Sequence, residues 1–122
     1  MTKAARGAIQ VVQNERQSIY SAARRLVAEM LSVNMIRRED IVSIMFSLTI
    51  DLDAGNPATG LREKEFQETP LFCVQEARVE GGVPRIIRAL ITFESLPARK
   101  VKAVYLDGAE ALRPDLATGR PS

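Results

Sequence analysis

The sequence predicts an α+β fold, an α/β sandwich in which a mixed β-sheet carries one long helix on one face. Only residues 14–35 have apolar side chains at helical spacing over several turns. Several shorter segments alternate apolar and polar residues, or are apolar throughout, and both patterns are typical of strands. One long helix covers only one face of such a sheet. The sequence therefore also predicts an apolar sheet face that is buried in a homo-oligomer.

Length and composition predict a single domain. The chain has 122 residues, of which 46% are hydrophobic and 26% are charged, as is usual for a globular domain. We assign the domain to residues 1–116 and a flexible tail to residues 117–122. A net charge of +2 and the absence of Trp argue against a nucleic-acid partner. Residues 41–50, the longest apolar stretch, are too few to cross a membrane, and no apolar signal core precedes them, so we expect a cytoplasmic protein.

The first half of the chain is predicted to form a strand, a long helix and a second strand. Lys3–Val12 alternates like a strand and contains Gly7, which is unusual there and indicates a close backbone approach. Asn14–Met35 carries the helical apolar stripe, and Asn34 is a suitable stop because asparagine tolerates left-handed backbone. Ile41–Ile50 is apolar on both strand faces, which is typical of a strand inside a sheet.

The second half is predicted to contain a short helix and two or three strands. Within Gly55–Lys64, Asn56 can cap a short helix and Pro57 suits its first turn. Pro70–Phe93 has two extended segments around a Gly81-Gly82 turn, which predicts a β-hairpin. The remaining predicted elements are a short strand at Val101–Leu106 and a helical turn at Ala109–Leu112 that ends before Pro114.

One arginine in the predicted hairpin needs an anionic partner. Residues two apart in a strand share a face, so Arg88 lies on the same face as Ile86 and Leu90. A guanidinium among branched aliphatic side chains is costly to bury unless an anion meets it. That anion is either Glu76, across the hairpin, or a carboxylate of a bound ligand.

The residue inventory argues against several reaction classes. The chain contains no His, which removes the commonest general base and metal ligand. Without His, no Ser or Cys has its usual activating base, and a single Cys cannot build a cysteine-rich metal site. No Gly-rich phosphate-binding loop is present. We therefore expect neither a metal nor another cofactor.

What remains is a set of cationic and polar side chains without an obvious nucleophile: Arg6, Arg62, Arg88, Arg113, Glu76, Cys73 and Tyr105. Planar arginine side chains bind carboxylates well, and fixed donors of this kind stabilise developing negative charge. The set therefore suits a binding site for a small dianion. A network of surface salt bridges explains the same residues equally well from composition and spacing.

Six short motifs, in order, connect the chain to a known family. They are Arg6-Gly7-Ala8, Thr49-Ile50-Asp51-Leu52, Cys73-Val74-Gln75-Glu76, Gly81-Gly82 with Ile87-Arg88, Val104-Tyr105-Leu106 and Leu112-Arg113-Pro114-Asp115-Leu116. Each motif is weak alone, but their order and spacing over residues 4–116 are specific. On these motifs the sequence resembles the small, monofunctional AroH-class chorismate mutases.

This resemblance implies a homotrimer whose sheets pack into a pseudo-α/β-barrel core, with active sites in clefts between subunits. It implies an isomerase that converts chorismate to prephenate by a Claisen rearrangement, in the shikimate pathway of aromatic amino acid biosynthesis. That reaction is concerted and needs no covalent catalysis, acid–base step or cofactor. The expected partners are therefore chorismate and two further copies of the chain, with no nucleic acid and no membrane.

The resemblance also implies roles for the central site residues. Arg88 corresponds to the arginine that meets the ether oxygen of the substrate, where negative charge grows as the C–O bond breaks. Glu76 corresponds to the carboxylate that accepts from the ring hydroxyl and faces the developing positive charge, and Cys73 serves the same hydroxyl. Arg6 and Tyr105 correspond to the pair that holds the side-chain carboxylate.

Further substrate-binding positions follow from the same resemblance. Arg62 lies in the mobile cover over the cleft, as do Leu112 and Arg113 in the motif near the C-terminus. Thr59 and Phe72 occupy substrate-binding positions where the family often has Lys and a small residue such as Thr.

Three departures from the family pattern motivate two alternative functions. Asn56 stands where the family usually has Phe, and Thr59 and Phe72 also differ. The first alternative is the same fold acting on another chorismate-like enolpyruvyl ether. The second is a non-catalytic trimer that binds small anions.

Overall fold

The computed structural model describes residues 1–117, and apart from Ala117 the predicted tail lies outside the described residues. The strands are β1 (Thr2–Gln10), β2 (Ile41–Leu48), β3 (Leu71–Gln75), β4 (Ile86–Glu94) and β5 (Val104–Leu106), and the helices are α1 (Arg16–Val33), α2 (Pro57–Arg62) and α3 (Pro114–Ala117). The strand–helix–strand order predicted for the first half of the chain is confirmed, with slightly different ends.

The five strands form one mixed sheet in the order β3-β2-β4-β1-β5, which confirms the predicted fold class. Strand β4 is antiparallel to both of its neighbours, β1 and β2. Strands β3 and β5 lie at the edges and run parallel to β2 and β1. A parallel pair needs a crossover connection, and the segment containing α2 supplies it between β2 and β3.

The predicted hairpin between the two segments of Pro70–Phe93 is wrong, although both segments are strands. Strand β2 lies between β3 and β4 and pairs with each of them. The loop from residue 76 to residue 85 is therefore not a hairpin turn but a connection that passes β2. Because β2 is apolar on both faces, the interior of the sheet is its favourable position, and this separates the other two strands.

Helix α1 packs on one face of the sheet through its predicted apolar stripe. Its buried side chains are Ile19, Tyr20, Ala23, Leu26, Val27 and Met30. Gly7 makes close packing possible, since a Cβ atom there would lie 2.6 Å from the sulfur of Met30 and 3.1 Å from a methyl group of Leu26. The close backbone approach predicted at Gly7 is confirmed.

Helix α1 ends at Asn34 as predicted, but for a different reason. The backbone of Asn34 is not left-handed; Met35, the next residue, takes that conformation with φ 51°. The buried Asn34 amide instead donates to the carbonyls of Met30 and Lys102, each at 3.0 Å, and its oxygen accepts from the Lys102 N–H at 2.7 Å. The side chain thus ties the helix end to the segment before β5.

The other sheet face carries exposed apolar side chains, and the helical turn at Ala109–Leu112 packs on one end of it, against Ala8 and Ile86. Met45, Phe72, Val74 and Leu90 are between 41% and 59% exposed. In β4 the side chains on this face alternate with buried ones such as Ile91. The predicted uncovered apolar face is confirmed, and it forms the floor of the candidate site.

The C-terminal elements differ slightly from their predictions. Strand β5 is shorter than the predicted Val101–Leu106, whereas the helical turn at Ala109–Leu112 is observed as predicted. Pro114 ends this turn and also begins α3, because its fixed φ suits the first helical position. None of the helices described is long and apolar enough to cross a membrane.

Candidate active site

A cleft of about 430 Å³ lies on the open face of the sheet, where β1, β4 and β5 meet the turn after β5. Five residues predicted for the site line it: Arg6, Arg88, Tyr105, Leu112 and Arg113. A second concavity of about 390 Å³ adjoins it, because Arg88 and Leu112 line both. Glu76 borders the second concavity, so Arg88 stands between the two spaces.

Sheet register explains how two arginines reach the same cleft. Arg6 pairs with Leu90 across β1 and β4, and Arg88 pairs with Ala8. All four side chains therefore share one face, with the two arginines in diagonal positions. Two cations on an apolar surface repel each other, and an anion bound between them relieves that repulsion. The strand pattern thus creates a cationic cleft.

The anionic partner of Arg88 is Glu76. The Arg88 Nε atom donates to Glu76 Oε2 at 2.9 Å, and the hydroxyl of Ser47 donates to the same oxygen at 2.6 Å. The backbone N–H of Glu76 donates to the Leu48 carbonyl at 2.7 Å, which fixes the start of the loop after β3. Glu76 therefore reaches Arg88 without a hairpin, because both are neighbours of β2.

The Arg88–Glu76 pair leaves hydrogen-bonding groups available. Within residues 1–117, no hydrogen bond involves the two terminal nitrogens of Arg88 or the Oε1 atom of Glu76. The two side chains are 44% and 21% exposed. An ion pair with this much solvent contact contributes about 0–1 kcal/mol to stability. The arrangement thus presents donors and an acceptor to a ligand and has little value as a structural anchor.

The wall formed by Tyr105 and Arg113 belongs to a small second core. Tyr105 pairs with Ala8 in β1 and packs, as Leu112 does, against buried Ala8, Ile86 and Ala109. Arg113 donates to both oxygens of Asp115, at 3.1 and 2.9 Å. These hydrogen bonds raise the pKa of Arg113 above its ordinary value, so its positive charge is permanent.

A second group of predicted site residues lies away from this cleft in the single chain. Thr59 and Arg62 belong to α2, and Phe72 and Cys73 to the edge strand β3; none of the four lines either concavity. Cys73 pairs with Phe46 and packs on the helix-covered core, on the sheet face opposite Arg88. Burial raises the pKa of the Cys73 thiol.

The predicted cap of α2 is observed. The side-chain oxygen of Asn56 accepts from the Ala58 N–H at 2.9 Å, and Pro57 is the first residue of the helix. Asn56 thus has a local structural function at the position where the resemblance expects a Phe.

Sequence reasoning missed Ser47. Its contact with Glu76 joins residues 29 positions apart in sequence, and that distance follows from the pairing of β2 with β3. The available signal was alternation, because Ser47 falls on the open face of a largely apolar strand, two residues after Met45. Among the residues that the structure describes, no group of three or more His, Cys, Asp or Glu is placed to hold a metal ion.

Comparisons with known proteins identify relatives over nearly the whole chain. Residues 2–116 match the family model for chorismate mutase type I. The chain is 35% identical to chorismate mutase AroH of Thermus thermophilus over 122 residues, covering 98% of this chain and 100% of that protein. It is 34% identical over 119 residues to chorismate mutase AroH of Bacillus subtilis (strain 168), covering 96% and 94% of the two chains.

A solved structure shares the fold as well. The chorismate mutase from Clostridium thermocellum superimposes with a TM-score of 0.84 at 34% sequence identity, covering 89% of this chain and 98% of that one. The match of the family model to nearly the whole described chain, together with these two relatives, establishes the family. The chain belongs to the chorismate mutase type I family.

Proposed function

We propose that this protein is a chorismate mutase, an isomerase that converts chorismate to prephenate in the shikimate pathway. The observation that carries the proposal is Arg88, which lines the cleft and is held at Nε by Glu76, while its other two nitrogens make no hydrogen bond within residues 1–117. Membership of the chorismate mutase type I family supports the same reaction. We place the enzyme in the cytoplasm, where the sequence predicted it.

The reaction suits a site without a nucleophile or a general base. The C–O bond of the enolpyruvyl ether breaks while a C–C bond forms, so electrons move within one molecule and no proton is transferred. Negative charge grows on the ether oxygen and positive charge grows on the ring. Catalysis therefore requires fixed charges that bind the transition state more tightly than the substrate, and it requires no cofactor.

Two side chains meet the developing charges in this proposal. The terminal nitrogens of Arg88 donate to the ether oxygen, and the free Oε1 of Glu76 accepts from the ring hydroxyl and faces the positive ring. Because the Arg88–Glu76 hydrogen bond exists before substrate arrives, little reorganisation is needed in the transition state. Arg6 and Tyr105 hold the side-chain carboxylate, and Arg113 with Leu112 closes one side of the cleft.

The site is completed by a neighbouring subunit of a homotrimer. Within residues 1–117, much of the open apolar face of the sheet is exposed, and Thr59, Arg62, Phe72 and Cys73 do not line the cleft that their proposed roles require. Packing the open faces of three chains together buries that surface, and in the trimer the edge strand β3 and helix α2 of one chain lie beside the cleft of the next. The cleft between subunits is then the complete active site.

Product identification tests this proposal. The purified protein is incubated with chorismate, and the products are identified by NMR and mass spectrometry, with heat-denatured protein as the control. We expect prephenate, which has the same mass as chorismate, at a rate far above the uncatalysed one. Release of pyruvate or a product of new mass would replace the proposal with another enolpyruvyl-ether reaction. Tight binding of chorismate in calorimetry without any product would replace it with a binding function.

A further inference from the structure

We propose that Ser47 is a positioning residue of the active site, whose hydroxyl keeps the Arg88–Glu76 pair in its single-contact form. This inference rests on the proposed function, because it assigns a task to the free nitrogens of Arg88. It begins from a polar residue whose hydroxyl has one described partner. Ser47 lies in the cleft on β2, opposite Arg88 in the sheet register, and its hydroxyl donates to Glu76 at 2.6 Å.

The length of the Ser47–Glu76 contact identifies a strong hydrogen bond. Hydroxyl–carboxylate bonds of about 2.5–2.7 Å are typical of an ionised acceptor. The carboxylate oxygen that accepts from Ser47 is the one that accepts from Arg88 Nε, at 2.9 Å. Two donors on one oxygen orient the carboxylate, and its other oxygen makes no hydrogen bond to Arg88.

Another ion pair of the chain shows the alternative geometry. Arg37 binds Asp40 at two points, Nε to Oδ2 at 3.0 Å and Nη2 to Oδ1 at 3.4 Å. Within residues 1–117, no side-chain donor other than Arg37 meets that carboxylate. The two-point form is the stronger arrangement for an arginine and a carboxylate, so its absence at Arg88–Glu76 needs a cause. The Ser47 hydroxyl supplies that cause.

The consequence for catalysis follows directly. If Glu76 were free to turn, the second oxygen would bind a terminal nitrogen of Arg88 and both groups would be withdrawn from substrate. Ser47 therefore acts through Glu76 and Arg88 and not by touching the reacting atoms. Removing its hydroxyl should lower kcat more than it changes KM, because the groups affected act on charge that develops in the transition state.

A matched set of variants tests this role by steady-state kinetics. Ser47→Ala removes the hydroxyl, Ser47→Thr keeps it, and Ser43→Ala is the control. Ser43 lies on the same face of the same strand, pairs with Thr92, and its hydroxyl makes no hydrogen bond within the described residues. We expect Ser47→Ala to lower kcat by about 10- to 100-fold. Ser43→Ala should stay within about twofold of wild type and Ser47→Thr within about threefold.

A double variant separates positioning from general structural damage. In a Glu76→Ala background, Ser47 has nothing to position, so adding Ser47→Ala should change kcat less than about twofold. The proposal is overturned if Ser47→Ala has wild-type kcat, if Ser47→Thr is as impaired as Ser47→Ala, or if Ser47→Ala costs the same factor in both backgrounds.

A crystal structure of Ser47→Ala without substrate tests the inference independently of any turnover. We expect Arg88 and Glu76 to form a two-point pair in that structure. An unchanged single contact at Arg88 Nε would contradict the proposed role of Ser47, whether or not the wild-type protein converts chorismate. Absence of turnover by wild type, with the two-point pair present in the variant, would contradict only the proposed function.

Discussion

Arg88 and Glu76 form the residue pair on which both binding and catalysis depend in the proposed function. Their single hydrogen bond uses one donor and one acceptor oxygen, and within residues 1–117 the terminal nitrogens of Arg88 and the Oε1 atom of Glu76 make no other hydrogen bond. Strand alternation alone predicted that Arg88 would share a face with Ile86 and Leu90, which the structure confirms. The sequence alone did not decide which anion pairs with Arg88, because a contact between separate strands depends on the order of strands in the sheet.

Replacing Glu76 by Gln tests the need for its charge. Glutamine keeps the shape and an acceptor oxygen, but it loses the negative charge that holds Arg88 and that faces the ring in the proposed reaction. We expect kcat to fall by about 10- to 100-fold, because hydrogen bonds to charged groups are roughly twice as strong as neutral ones. The control is Glu80→Gln, an exposed glutamate in the same loop. Equal kcat values for the two variants would contradict the proposed role of Glu76.

The half-buried thiol of Cys73 predicts a pH dependence of stability. Burial raises the pKa of this thiol in the folded state. The group therefore has no effect on the unfolding free energy well below the ordinary thiol pKa of about 8.5, and it lowers that free energy as the pH rises above this value. Urea unfolding at pH 7 and pH 9.5 should show a smaller alkaline loss for Cys73→Ser than for wild type. Identical alkaline losses of unfolding free energy in the two proteins would show that Cys73 does not contribute to this pH dependence.

At the scale of elements, α2 depends on a close approach to α1. Gly60 lies in α2, and a Cβ atom there would come within 2.6–2.9 Å of three atoms of Tyr20. The Tyr20 ring is buried and cannot move aside cheaply. The contact explains why α2 contains a residue that otherwise weakens helices.

Gly60→Ala tests this packing against helix propensity. Alanine favours a helix by about 1 kcal/mol over glycine, whereas overpacking costs about 1–3 kcal/mol. We expect a lower thermal midpoint by calorimetry. Thr59→Ala, in the same helix, is the control because it adds no clash, and it should leave the thermal midpoint nearly unchanged. A Gly60→Ala protein more stable than wild type would contradict the close packing of α2 on α1.

The helices and strands were easier to predict from the sequence than the pairing of strands within the sheet. The spacing of apolar residues determines α1 and β2 locally, and each forms where the pattern indicated. Strand β3 could have paired with β4 by sequence proximity, but β2 offers two apolar faces and takes the position between them. The same non-local choice decides that Ser47 meets Glu76, which explains why this contact was not predicted.

At the scale of the whole molecule, the proposed function makes activity depend on assembly through the open sheet face. Val74 on this face is 41% exposed and does not line either concavity. A charge at such a position is costly to bury between chains. Val74→Asp should therefore convert the proposed trimer to smaller species, observed by sedimentation velocity, and turnover should fall with it.

The control for this change is Met35→Asp. Met35 is 67% exposed, follows α1, and has a positive φ that Asp tolerates. It lies beyond the helix that covers the other sheet face, so the assembly should be unaffected. A Val74→Asp protein that remains trimeric, or a wild-type protein that is monomeric and fully active, would contradict the proposal that subunits share the cleft.

The most direct test of the account follows the loss of chorismate diene absorbance with wild-type protein and with Arg88→Ala at matched oligomeric state. We expect wild type to accelerate the rearrangement by about 10⁶-fold or more, as enzymes typically do. Removing Arg88 should lower kcat by at least about 10²- to 10³-fold, because a preorganised donor to the developing negative charge is lost. Wild-type rates from a correctly assembled Arg88→Ala protein would contradict the central role of this arginine.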